Sequence, residues 1–97
     1  MSFLKKHPVL YGFRNGSRIE IRSPREAAEF IVQEGKHGDL IIETRDGQPF
    51  ISTCGIYLNR IADMAYRAEL MPYLLPLQKG YGSMEEYEKA VYGSKLI

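Results

Sequence analysis

Cys54 is the single cysteine of the chain and lies in Ile51-Ser52-Thr53-Cys54-Gly55, a run of strand-forming residues that stops at glycine. A thiol placed where a strand gives way to a helix would feel the helix N-terminus, whose dipole favours the thiolate and makes a nucleophile. Nucleophilic catalysis also needs a base or a second thiol. The nearby His37 belongs to a separate turn, Gly35-Lys36-His37-Gly38, and would have to be brought over by the fold. Free cysteine is among the most often buried residue types, so a small core residue is the simpler expectation, with Cys54 the weak catalytic candidate. One cysteine and two histidines, scattered, match no metal-ligand spacing and allow no internal disulfide. No metal and no other cofactor is expected. The glycines of the Glu34–Asp39 turn close a helix and lead into a strand, the reverse of a phosphate-binding loop.

The arginines pose a sharper question. The first 25 residues carry Lys5, Lys6, Arg14, Arg18, Arg22 and Arg25 against Glu20 alone, although the whole chain has a net charge of only +1. Three of these arginines surround Asn15-Gly16, a hairpin-turn sequence. A two-residue turn pairs Phe13 with Arg18 and Tyr11 with Glu20, placing both rings on the face of Arg18 and Arg22. Rings for base stacking beside cations for phosphates would suit a single-stranded nucleic acid. A three-residue loop pairs Phe13 with Ser17, Tyr11 with Ile19 and Val9 with Ile21. A one-residue slip moves a strand's side chains to the other face, and only the second register gathers Val9, Tyr11, Phe13, Ile19 and Ile21. The three-residue register is therefore expected, and nucleic-acid binding by Lys5, Lys6, Arg14, Arg18 and Arg22 becomes the alternative function.

The elements that must position these groups read as strand, strand, helix, then strand, strand, helix, helix. Val9–Phe13 and Ser17–Arg22 are rich in branched and aromatic residues, as are the runs flanking Arg45-Asp46-Gly47, so the second half echoes the first. Ser23 followed by Pro24 and Glu26 is a capping signature for a helix from Pro24 to about Glu34, with Gly35 as its terminator. A second helix is predicted over about Ile56 to Leu70, with Tyr57, Ile61, Met64, Ala65 and Ala68 facing the core. Pro72 should end it. Ser83 and Glu86 cap a third helix spanning 83–92, whose Met84, Tyr87 and Val91 face inward. The fold class is α+β, in ββαββαα order: antiparallel hairpins forming a sheet of about four strands, with helices packed on one face.

Between the last two helices, residues 70–82 read as an irregular apolar strap. Leu70, Met71, Tyr73, Leu74, Leu75, Leu77 and Tyr81 crowd into it around Pro72 and Pro76. Such a tract either covers the core of a small domain or meets a partner. With 97 residues, a mostly structural use of its side chains and no complete catalytic set, the chain reads as a single domain and a non-enzymatic binding or regulatory protein. It would act by contact with another protein or with its own copy. No apolar run approaches the roughly 20 residues of a membrane span, and the N-terminus lacks the pattern of a signal peptide, so a cytoplasmic protein without membrane contact is expected.

Overall fold

Asn15 and Gly16 both take positive φ, 52° and 80°, the two-residue turn whose twist matches antiparallel strands. They join β1 (Leu10–Arg14) to β2 (Ser17–Ile21), with Arg14 opposite Ser17, Phe13 opposite Arg18 and Tyr11 opposite Glu20 in the computed structural model, which describes residues 7–81 and 83–93. This is not the three-residue register expected from apolar patterning. The inward face of β1 carries Leu10, Gly12 and Arg14, a poor apolar set by itself. Its missing bulk comes from Phe30 of the first helix: a Cβ on Gly12 would lie 2.4 Å from that ring. The apolar group was supplied from another element, where strand alternation could not register it.

The first helix, α1 (Pro24–Gly35), begins as its sequence predicts, with the Ser23 hydroxyl accepting from the Glu26 amide at 3.2 Å. The Glu26 carboxylate reaches one residue further back than a capping box requires and accepts from the Arg22 amide. Gly35 does not terminate the helix in a left-handed conformation. It is the last helical residue, and its bare Cα lets the carbonyl of Gly55 approach to where a Cβ would stand only 2.4 Å away. Helix α1 is thereby seated against a turn of the sheet.

The second half departs further from expectation. After β3 (Ile41–Glu43) and β4 (Pro49–Cys54), residues Tyr57–Ile61 form a strand, β5, instead of the start of a helix. The sheet is thus five-stranded, all antiparallel, in the order β2-β1-β3-β4-β5. Helix α2 (Met64–Gln78) starts at Asp63, whose Oδ1 accepts from the amides of Ala65 at 2.8 Å and Tyr66 at 3.1 Å. Pro72 and Pro76 lie inside it, so 70–78 is helical and the irregular strap is corrected. Burial outweighs the proline penalty here. Tyr66, Leu70, Leu74 and Leu77 make a continuous buried stripe, while Met64, Ala65 and Ala68, expected to face the core, are exposed. Helix α3 (Met84–Gly93) is capped by Ser83, and its Met84 enters the core.

The α+β class with helices on one face of an antiparallel sheet is the fold adopted. Leu10, Ile21, Ile42 and Ile51 project from the sheet into a core completed by Ala27, Ala28, Ile31 and the α2 stripe. Among the described residues no helix is long and apolar enough to cross a membrane.

Candidate functional site: the helix-free face of the sheet

Alternation along each strand sends a second set of side chains away from the helices. Arg18, Glu20 and Arg22 come from β2 and its end, Tyr11 and Phe13 from β1, Ile41 and Glu43 from β3. Ser52 and Cys54 follow from β4, and Tyr57 and Arg60 from β5. Among the described residues no helix packs on this side. Phe13, Ile41 and Tyr57 are 50%, 51% and 60% exposed, three of the five large apolar side chains left open to solvent among the described residues.

Register arranges these groups in rows. Phe13 pairs with Arg18, Ile41 with Ser52, and Ser52 with Arg60. Tyr11 pairs with Glu43, and the same antiparallel register continued two residues along each strand sets Phe13 opposite Ile41. The resulting row runs Arg18, Phe13, Ile41, Ser52, Arg60 across all five strands. The next row is Glu20, Tyr11, Glu43. Cys54 and Tyr57 form the closing pair of the β4–β5 hairpin, just beyond the first row.

Tyr11 belongs to this face yet is buried, because arginines cover it. The Arg18 guanidinium lies 3.8 Å above its ring centre and donates to the Arg45 carbonyl at 3.0 Å. A side-chain hydrogen bond with Tyr11, reinforced by Tyr11's charge and more weakly by Glu20 and Asp46, holds the exposed Arg45 guanidinium above its ordinary pKa. Arg22 is ion-paired with Glu20.

The arginines expected to act together are therefore divided. Arg14 turns to the helix side, where its Nε donates to Glu34 at 2.8 Å and its guanidinium stacks on Phe30. Arg18 and Arg22 share the open face, each already engaged, and Lys5 and Lys6 lie outside the described residues. Arg60 was not singled out by the sequence, since a presumed helix hid its place. Recognising Asp63 as an N-cap would have freed 57–61 to be read as a strand.

The expected partner segment is largely interior. Leu70, Leu74 and Leu77 are buried, Met71 and Tyr73 pack partly against the core, and Tyr81 lies edge-on to Tyr87 at 5.3 Å. Of that set only Leu75 is exposed, at 46%, so the seven residues do not form one surface. Cys54 is corrected on two counts: it is exposed, not buried, and it precedes a two-residue turn into β5, not a helix. Among the described residues no hydrogen bond joins it to a base, and no group of three metal-ligating side chains occurs.

A cleft of about 500 Å³ lies on the helix side, between the start of α1 and the middle of α2. His7 Nε2 and Glu69 meet there at 3.1 Å, with Arg25 and Tyr73 nearby. These groups form no nucleophile–base pair. No family model matches the chain, and comparison with curated proteins and solved structures finds no similar protein.

Proposed function

We propose that the chain is a non-enzymatic binding protein that acts in the cytoplasm through protein–protein contact, and that its contact surface is the helix-free sheet face. The observation supporting this reading is the row in which exposed Phe13 and Ile41 lie side by side with arginines at both ends. Aromatic and arginine side chains are enriched at protein interfaces, and apolar groups left open on a sheet face gain most from cover. Glu20 and Glu43 in the adjacent row count against a phosphate backbone as the primary ligand. A chain with one unpaired cysteine also suits a reducing compartment.

A second reading, nucleic-acid binding, is favoured by one observation: the two-residue register puts Phe13 and Tyr11 on the side of Arg18 and Arg22. One experiment separates the two. The immobilised chain is exposed to nuclease-treated lysate of its source, alongside Phe13→Asp/Ile41→Asp and Leu75→Asp variants. Protein capture that survives nuclease, persists with Leu75→Asp and disappears with the double variant is the expected result. Capture indifferent to Phe13 and Ile41 would refute the surface. Binding of a labelled oligonucleotide that collapses with salt would instead promote the second reading.

A further inference from the structure

A sheet that does not close ends in two strands with backbone groups to spare, here β2 and β5. The β5 edge is interrupted. Its pairing with β4 skips Asn59, since Arg60 lies opposite Ser52 and Leu58 opposite Thr53, and such a bulge twists an edge away from further strands. The β2 edge is regular over all five of its residues and holds no proline or lysine. Ser17 and Arg14 flank a two-residue turn and exchange their hydrogen bonds, as Ile19 with Gly12 and Ile21 with Leu10 then do. The amides and carbonyls of Arg18 and Glu20 therefore point outward. So does the Arg22 amide, and there the Glu26 carboxylate accepts from it at 3.1 Å. The outward groups of Arg18 and Glu20 have no such partner among the described residues. Nor does the Arg18 side chain cover them, because it lies inward across Tyr11 toward the Arg45 carbonyl.

A groove of about 170 Å³ runs beside this edge on the helix side, between β2 and α1. Ile19 and Phe30 are its apolar lining, with Glu26, Glu29 and Gln33 of α1 beside them. Arg14, which also enters the groove, is neutralised by Glu34 and held by Gln33 at 3.3 Å. Glu26 and Glu29 form no ion pair among the described residues. A negative groove thus adjoins a short row of unused main-chain donors and acceptors.

We propose that the β2 edge takes an extended basic segment of a partner protein as a sixth strand. Main-chain hydrogen bonds to Arg18 and Glu20 hold that segment, and its alternate side chains turn toward α1. The side chain opposite Ile19 is apolar and rests on Ile19 and Phe30. A lysine or arginine two residues to either side of it faces the same way and meets Glu26 and Glu29. A second copy of the chain suits the edge less well, because a two-fold axis there would set the acidic faces of the two α1 helices against each other. This surface uses neither Phe13 nor Ile41 and stands apart from the helix-free face.

The test uses the isotopically labelled full chain and the end-blocked peptide Thr-Lys-Thr-Ile-Thr-Lys-Thr. In the free chain, the Arg18 and Glu20 amides should exchange rapidly with deuterium and those of Ile19 and Ile21 slowly. The peptide should shift the Arg18 and Glu20 amide resonances saturably, with half-saturation below about 1 mM, and slow their exchange. Replacing both peptide lysines by glutamate should weaken binding at least about tenfold, and Glu29→Lys should erase that preference. N-methylation of the two threonines beside the peptide's isoleucine removes the donors aimed at β2 and should abolish binding. Ile41→Asp should leave peptide binding unchanged, which separates failure of the edge from failure of the helix-free face. Absence of saturable shifts at Arg18 and Glu20 overturns the proposal, as does equal binding of the acidic or the N-methylated peptide. Slow exchange of both amides in the free chain, or loss of peptide binding in Ile41→Asp, overturns it too.

Discussion

Tyr66 is a polar group in an apolar place. Its hydroxyl is buried with no hydrogen-bond partner among the described residues, and its ring is held edge-on by Phe50 at 5.3 Å and His7 at 6.1 Å. Burial raises its pKa well above the ordinary value, and the negative charges of Glu26 and Glu69 push the same way. An unsatisfied buried hydroxyl costs about 1–3 kcal/mol, so Tyr66→Phe should leave the protein as stable or about 1 kcal/mol more stable in urea unfolding at pH 7. The sign of the pH dependence follows from the direction of the shift. Below pH 10 both folded and unfolded chains keep the proton, and the stabilising difference is fully present. Above pH 10 the unfolded tyrosine ionises first, so wild-type stability falls as pH rises. Unfolding curves between pH 8 and about 11.5 should show that this fall is shallower in Tyr66→Phe than in wild type.

At the scale of elements, the junction of α1 with the β4–β5 turn is a point where two backbones meet without room for a side chain. The Gly55 amide donates to Asp39 at 2.7 Å, and the Gly55 carbonyl fills the space beside Gly35. Gly35→Ala gains about 1 kcal/mol of helix propensity, but its Cβ would meet backbone atoms that cannot rotate away. A net loss of about 2 kcal/mol in denaturant unfolding is expected. Local signals were legible in the sequence where an element carries its own punctuation: Ser23-Pro24 for α1, Ser83 for α3, Asn15-Gly16 and Asp46-Gly47 for turns. Legibility failed where one element completes another. Phe30 fills the void at Gly12, which reversed the apparent register of the first hairpin. The spacing of Tyr57, Ile61 and Met64 matches a helical period by chance, and prolines inside α2 hid a stripe that tertiary burial sustains. The candidate face was half legible as a result. Its β1–β2 residues were identified with the less favoured register, and its β5 residues were assigned to a helix.

For the whole molecule, the sheet order β2-β1-β3-β4-β5 makes every strand pairing a hairpin between chain neighbours except one. That exception, β1 with β3, is bridged by β2 and α1 and fixed by Tyr11 opposite Glu43. A fragment of residues 1–38 holds the first hairpin and α1 but lacks the strand that binds them to the rest. Since α1 packs chiefly on α2 and only lightly on β2, the fragment loses most of its core along with β3 and should give a disordered amide spectrum by NMR, whereas the intact chain gives dispersed strand resonances. The same topology orders events on the ribosome. The N-terminal third leaves the exit tunnel first, yet it waits for Glu43 to emerge before β1 gains its second neighbour, so the earliest part of the chain to be made is not the earliest that can settle.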